Sequence, residues 1–568
     1  MIIEFKDEIK LEKQLTNQEI IKRILSLRKI NNLDDFLYPK SPNLISIFDF
    51  DEKYQNIFSK AATILKQAKN KKQMVIVYTD YDADGITGGA ILWETLHLLG
   101  FKTMPYVPDR KTEGYGFSIK GIDKVIKKFN PAVIISVDHG ITKIKEVSYT
   151  KNKGIKIIIT DHHLKGEKTP RADAIFHIPA LSGAGVAYFF AKQLYKYFKS
   201  PTFYSKLLAS YFQADYLLLA SIGTVADLVP LIGPARSLVK YGLSAFCDIK
   251  RLGIKHILKE AGIEGKKITP YDIGFIIAPR INAVGRLENA IDALRLLCTK
   301  KEDKAHHLAS YVGKMNRIRQ NILEESLKEA KKILSQESKN FTSLKKIIIL
   351  TSNRWHEGII GLIASKMVEE FYRPSIILTK LDGFYKASAR SISGFHITKF
   401  LTHFKKYLVD VGGHEQAAGF TLKEKELKNF KREVEKKADI LLKKEDLEKK
   451  LIADLKIPIS FINLPLVKTI EKLAPFGIGN PQPIFYSEGQ LIDAKIFGKK
   501  NEHLKILVKC PNKKIRQSIE FLELIGFYQS QLFYQLSPGQ KINIAYNLEI
   551  NKWREEEKIR GKILALKW

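Results

Sequence analysis

The chain has 568 residues, 45% of them hydrophobic and 27% charged, which suits a globular protein of about three or four domains. Its 94 Lys and Arg against 61 Asp and Glu leave a formal charge of +33, which points to a polyanionic partner, nucleic acid first. Three scattered cysteines, Cys247, Cys298 and Cys510, exclude a zinc pattern and a disulfide framework and read as packing residues in a reducing compartment. Lys-, Ile- and Asn-rich stretches offer compositional bias as a second source of the basic excess, so charge alone does not make the case. The first residues carry acids where a signal peptide would be basic and then apolar. The apolar stretch 216–232 is interrupted by Asp227, against a membrane span. No membrane association and a cytoplasmic location are expected.

In chain order, a polar region at 1–70 precedes an alternation of strand and helix patterns. Apolar, β-branched runs at 75–78, 133–137 and 155–159 read as buried strands with helices between them, the βαβ signature of a mostly parallel sheet. From 183 to 298 the pattern is mainly helical. An amphipathic stretch at 302–335, with Leu308, Val312, Met315, Leu323, Leu327, Ala330 and Leu334 at three- and four-residue spacings, predicts a long connector helix. A second α/β unit begins at 345–350, continues through a strand at 375–379 and ends in a charged helix at 424–450. From 451 onward, short alternating runs punctuated by Gly, Pro and Asn predict a small β-domain of barrel type.

Three acidic clusters each follow an apolar strand. Met74–Tyr78 leads into Asp80-Tyr81-Asp82-Ala83-Asp84-Gly85, the second strand into Asp138-His139-Gly140, the third into Asp161-His162-His163. The first cluster opens like a calcium loop, but Ile91 stands at the twelfth position where that loop needs a bidentate Glu, and a strand precedes it. In open parallel sheets the carboxyl ends of strands face one crevice, so the three clusters are expected to converge there. Asp227, alone in an apolar helical segment, is expected to join them, because a buried unpaired carboxylate costs several kcal/mol, roughly. Carboxylates this close need a cation. Acids with imidazoles suit Mn2+, and so many carboxylates suggest two ions, an arrangement suited to attack on phosphorus. Taken singly, Asp161 as a helix N-cap, His139 as a surface residue and Asp227 as a hydrogen-bonded core acid are bland readings; together they are harder to sustain.

These four sites resemble the motifs of the DHH phosphoesterase superfamily. Arg280-Ile-Asn-Ala-Val-Gly-Arg286, Trp355-His-Glu-Gly-Ile-Ile-Gly361, Ser388-Ala-Arg390, Gly412-Gly-His414, the stretch from Leu473 to Pro481 and Glu549-Ile-Asn-Lys-Trp553 resemble its RecJ branch, single-strand-specific exonucleases, over nearly the whole chain. The resemblance implies an α/β fold: a DHH catalytic domain at 71–300 and a DHHA1 substrate-binding domain at 341–448, with parallel or mixed sheets, joined by a connector helix at 301–340. A C-terminal OB-fold barrel at 449–568 completes it. By the same resemblance Asp80, Asp82, Asp84, Asp138, His162 and Asp227 hold metal, Asp138 bridging two ions. His163 polarises the scissile phosphate or assists proton transfer. Gly412, Gly413 and His414 face substrate phosphates, Arg280, Ser388 and Arg390 contact phosphate, and Arg110 lies on the DNA path. The implied activity is metal-dependent hydrolysis of single-stranded DNA from 5′ to 3′ in repair and recombination, with Mn2+ or Mg2+, by a monomer that meets a single-strand-binding protein and a helicase.

Thr79 departs from the Gly usual before the first Asp; His177-Ile-Pro-Ala and Pro234-Ala-Arg236 also depart. None removes a ligand. Two rivals remain: a DHH phosphodiesterase acting on short oligonucleotides or cyclic dinucleotides, which lacks a C-terminal barrel, and an inactive DNA-binding scaffold, which the intact acids oppose. Every predicted ligand lies before residue 451, so removal of the tail is expected to leave the metal site intact.

Overall fold

The computed structural model describes residues 2–9, 15–110, 112–114, 116–199, 203–509, 519–553 and 556–568. Cys510 lies outside them. Two compact units emerge, one formed by 3–313 with 452–568, the other chiefly by 314–451.

The first unit is built on a parallel sheet of β1 (Val75–Thr79), β2 (Thr103–Tyr106), β3 (Val133–Val137), β4 (Lys156–Asp161) and β5 (Ala174–His177), in the order β2-β1-β3-β4-β5. All four pairings are parallel. β1 and β3 are buried at every position, as strands covered on both faces must be. The chain leaves β1 through α1 (Ala83–Leu98), which starts where the Asp82 carboxylate accepts from the Gly85 amide at 3.0 Å. Helices α2 (Ile119–Phe129) and α3 (Ile144–Asn152) return the chain to β3 and β4. Beyond β5, α4 (Gly183–Phe198) and α5 (Asp215–Ala226) pack on α1, and α6 (Gly233–Ser244) packs on α5. Further on, Pro270–Asp272 leads through a π-helical turn, Ile273–Ile277, straight into α7 (Ala278–Leu287). The strand order turns back between β1 and β3, and such switch points are where open sheets place their sites.

A single long helix, α8 (Glu302–Glu337), occupies the predicted connector segment. The second unit carries a five-stranded sheet of β6 (Ile348–Ser352), β7 (Ser375–Leu381), β8 (Phe384–Arg390), β9 (Leu408–Gly413) and β10 (Ala417–Lys423), ordered β9-β10-β8-β7-β6. Helices α9 (Ile360–Phe371) and α10 (Leu427–Leu441) complete it. The charged helix foreseen at 424–450 stops at Leu441. Phe430, Val434 and Ala438 form its buried stripe, and no apolar position continues that spacing beyond the buried Leu442.

The tail closes into a five-stranded barrel. Strands β12 (Phe485–Phe497), β13 (His503–Lys509), β14 (Phe521–Gly526), β16 (Glu556–Lys567) and β15 (Lys541–Trp553) pair in that order, and β15 returns to β12. The short β11 (Leu455–Lys456) runs parallel beside β12. The barrel does not stand alone. Ile20, Ile21, Ile24 and Leu25 of the helix Asn17–Leu27, with Ile9 and Phe36, belong to the same core as Leu466, Leu473 and Ile506. Arg28 donates to Asp454 and Asn480. Arg236 of α6, 1% exposed, donates to the carbonyls of Phe36, Ala474 and Pro475 at 2.7, 2.9 and 3.3 Å. The amide of Leu231 donates to the Ile478 carbonyl at 2.7 Å, four residues after Asp227. Sequence distance hid these contacts.

Arg236→Met is expected to cost about 3–5 kcal/mol, because it strands three buried carbonyls at once. Denaturant unfolding of the full chain measures this; a loss within error would mean that the catalytic region does not depend on the barrel.

Candidate metal centre

Asp80 directly follows β1, Asp138 directly follows β3, and Asp161 ends β4, so the parallel sheet delivers three carboxylates to one edge. Asp80, Asp84, Asp138 and Asp161 are each at most 2% exposed. The turn at Asp138 is tight: its φ is +66°, a left-handed conformation that Asp tolerates better than most side chains. Its amide donates to the Thr160 carbonyl, and the Ser136 hydroxyl donates to the His139 carbonyl at 2.8 Å. Gly140 follows at φ +121°.

Donor atoms of three trios lie within 4.8 Å of one another: Asp80 with Asp82 and Asp138, Asp84 with His162 and Asp227, and Asp138 with His162 and His163. Asp138 and His162 each belong to two trios. His162 Nε2 sits 3.2 Å from Asp138, 3.4 Å from Asp227 and 3.8 Å from Asp84. Every residue expected to hold metal is therefore in one cluster. Asp227, the C-cap of α5, keeps a third of its side chain exposed, and its successor Leu228 turns the chain at φ +58°.

The electrostatics follow from crowding in a dry place. Burial and the neighbouring charges of Asp84, Asp82, Asp227 and Asp80 push Asp138 well above the usual carboxylate range. Burial and the charges of Asp84 and Asp82 push Asp227 up to about 8, and burial with the Asp84 charge also raises Asp82. Asp138 Oδ1 and His162 Nε2 are buried atoms with no hydrogen-bond partner among the described residues. Orphaned donors beside carboxylates held against their own repulsion fit a hard divalent cation of Mn2+ or Mg2+ type.

Asp161 has a different task. It accepts from the amides of Ile141, His162 and His163 and from His163 Nδ1, the last at 2.8 Å. It is not a helix N-cap. Burial opposes a charge on the His163 ring, but the hydrogen bond and charge of Asp161 outweigh it and push His163 up to about 9. His139 is fully buried between Tyr78 and Phe117, and burial drives it down to about 3, so it is a neutral core ring and not a surface residue.

Several supporting residues escaped the sequence reading. The N-terminal amides of α4, from Gly183 and Ala184, donate to Asp84 at 2.6 and 2.9 Å, placing a carboxylate at the positive end of that helix. The signal was Ser182, whose side chain accepts from Gly185. A Cβ on Gly183 would fall 2.4 Å from Asp138, and one on Gly223 2.4 Å from Asp84. The Asn282 side chain accepts from the Ala83 amide at 2.6 Å. Thr79, the departure before Asp80, donates to the Gly85 carbonyl and so braces the turn. His177 Nε2 lies 2.7 Å from the His163 carbonyl.

The remaining expected site residues lie elsewhere. The Arg110 guanidinium packs over the Tyr81 ring at 5.4 Å, beside the first cluster. Arg280 is engaged by Glu260 at 2.7 Å and by the Ile276 carbonyl. In the second unit, Ser388 and Arg390 stand on β8, with Arg390 3.4 Å from the Ser388 hydroxyl; a Cβ on Gly361 would approach both at 3.1 and 3.3 Å. Gly412 and Gly413 end β9 and His414 follows it, all three exposed; Gly413 has φ +148° and no room for a side chain against the Ala417 carbonyl.

Comparison with known proteins agrees with this architecture. Residues 74–221 match the DHH family, N-terminal domain, residues 344–439 the DHHA1 domain and residues 453–564 the RecJ OB domain. The chain is 31% identical to the single-stranded-DNA-specific exonuclease RecJ of Bacillus subtilis over 97% of its length and 68% of that protein's. It is 30% identical to RecJ of Haemophilus influenzae, over 96% of both chains. The chain belongs to the RecJ family. A crystal structure of RecJ from Thermus thermophilus in complex with Mn2+ superposes with a TM-score of 0.79 at 26% identity, covering 100% of this chain and 80% of the other. The same RecJ has also been crystallised with Mg2+. Among the described residues no helix is long and apolar enough to cross a membrane.

Asp138→Asn keeps a side chain that accepts the left-handed turn while removing a repelling charge. In chelator its melting temperature is expected to match or exceed the parent's. Excess Mn2+ should raise the parent's by the equivalent of about 2.7 kcal/mol at a hundredfold excess over Kd, and the variant's far less. Equal stabilisation of both by Mn2+ would remove Asp138 from the site.

Proposed function

We propose that this RecJ-family protein is a metal-dependent exonuclease that hydrolyses phosphodiester bonds of single-stranded DNA from 5′ to 3′, in repair and recombination. The observation that carries this reading is the convergence of Asp80, Asp82, Asp84, Asp138, Asp227 and His162 on one sheet edge. Family membership supplies the substrate class. These side chains would hold Mn2+ or Mg2+, as two ions by the family resemblance, and Asp138 stands in two of the three trios; bound cations would supply polarisation of the phosphoryl group and a lowered pKa for a water. His163 is held by Asp161 through Nδ1, so its Nε2 is the nitrogen directed to the phosphate, where a charged ring stabilises negative charge and supplies a proton to the leaving oxygen.

In the second unit, Arg390 with Ser388 binds a phosphate: the planar fork suits phosphate oxygens, and the missing side chain at Gly361 leaves them room. The exposed strand end at Gly412 and Gly413, with His414, serves the polyanion too. Arg110 guides the strand past Tyr81, and Arg280 exchanges Glu260 for a phosphate when DNA enters. On the barrel, Phe497, Phe527 and Tyr528 surround His503 at ring distances of 5.0–5.3 Å, with Lys562 5.6 Å from the Phe527 ring, a surface suited to stacking bases and tracking a backbone. The protein works as a cytoplasmic monomer, meeting a single-strand-binding protein and a helicase that supplies its substrate.

The test is hydrolysis of a 5′-labelled single strand, its duplex and a dinucleotide with Mn2+. Release of label as mononucleotide from the single strand, with little from the duplex, is expected. Preference for the dinucleotide would favour the phosphodiesterase reading, and release of label only after the strand has been shortened from the other end would reverse the polarity.

The two adjacent imidazoles divide the work. His162→Ala is expected to lower bound Mn2+ and turnover together, because its Nε2 lies among three carboxylates. His163→Ala should lower turnover by about 100-fold or more with metal content nearly kept. Elemental analysis of both purified variants decides this; equal metal loss would make both rings ligands.

A further inference from the structure

Tyr271 and Phe275 are 64% and 71% exposed, yet their rings stack on each other at 4.7 Å with 25° between planes. Single exposed apolar side chains are ordinary; two large rings held face to face in water are not. They occupy the π-helical turn Ile273–Ile277 and the short helix before it, and such turns are rare and concentrate at functional sites.

Their place in the fold gives them a use. A Cβ added to Gly274, the residue before Phe275, would fall 3.8 Å from the side chain of Val225, two residues before Asp227. Seven residues after Phe275, in the helix that continues the turn, the Asn282 side chain accepts from the Ala83 amide between Asp82 and Asp84. One helical run thus leads from the metal cluster to the aromatic pair, about 10 Å along the axis at about 1.5 Å per residue. Exposed Lys266 and Lys267 lie just before the pair. Tyr271 also lines a cavity of about 1360 Å³ that carries Lys240, Lys255, Lys266 and Lys267 against Asp248, Glu264 and Glu471, with Lys266 paired to Asp272 at 2.7 Å.

We propose that Tyr271 and Phe275 form a base-stacking platform for the single strand beside the metal centre, with the neighbouring lysines on its phosphates. Every base has a π-face, so rings of this kind hold a strand without reading its sequence. A duplex keeps its bases stacked on one another and cannot use the platform. The pair thereby favours single strands at a point close to the reacting phosphate. This rests on the nuclease reading of the metal centre.

The test uses the Mn2+-loaded enzyme and a long oligothymidylate. Phe275→Ala is expected to raise KM and weaken affinity, read by fluorescence anisotropy, by about 5- to 150-fold, the range that loss of one stacked base implies. Phe275→Trp should restore both, and kcat should change little. Circular dichroism checks that the variants are folded, which the exposure of both rings favours. A single abasic residue scanned along the strand should cost the parent a similar factor at one register, and cost Phe275→Ala nothing further there. Unchanged KM and affinity in both Phe275→Ala and Tyr271→Ala, as expected of a surface for a protein partner, would overturn the proposal. So would abasic and ring losses that simply add. A parent that binds the strand through these rings without cleaving it would refute the nuclease reading alone.

Discussion

The constraint on which the catalytic unit depends is the mutual repulsion of five carboxylates gathered at one sheet edge, four of them buried or nearly so. Two unit charges 4 Å apart repel by about 4 kcal/mol at the effective dielectric of a protein surface, and several such pairs act here at once. Without cations, the chain opposes this by local means. The α4 N-terminus takes Asp84, the Gly85 amide takes Asp82 and the Tyr81 amide takes Asp80, while burial and the neighbouring charges push Asp138 and Asp227 above the usual carboxylate range. Gly183 and Gly223 contribute by having no side chain, since any Cβ there would occupy the space of a carboxylate. The fold keeps the acids apart by backbone geometry and leaves the middle of the cluster to a cation.

Much of this was legible in the sequence because the information is local. An apolar β-branched run followed at once by an acid fixes a strand and the end on which the acid emerges, and parallel pairing does the rest. The strands at 75–78 and 133–137 appear within a residue of the predicted bounds, and the third continues to Asp161 itself. Two edge strands were missed. β2 contains Pro105, which depresses its strand pattern, and β5 is four residues that alternate in burial rather than reading as an apolar run.

What the sequence did not disclose depends on contacts between distant segments. Nothing near Asp161 says that its carboxylate also takes the amide of Ile141, twenty residues earlier. Nothing near Arg236 says that its guanidinium is capped by carbonyls more than two hundred residues later. The polar N-terminal region looked like a separate prelude, yet its isoleucines lie in the barrel's core, because an amphipathic helix states which face it buries but not against what. The aromatic pair at Tyr271 and Phe275 was unremarked for the opposite reason: in sequence, two aromatics four apart on a helix read as core, and only their exposure separates them from it.

The grip of the 474–480 turn on Arg236 and Leu231 has a consequence during synthesis. Chains emerge from the ribosome N-terminus first, and domains generally fold as they emerge. Here the segment after Asp227 finds its hydrogen-bond acceptors only once residues near Ile478 have been made. The N-terminal helix waits still longer for the barrel strands that cover it. A nascent chain therefore carries all its acids long before it holds the last of them in place. An enzyme that degrades nucleic acid is completed only after its barrel strands have been made.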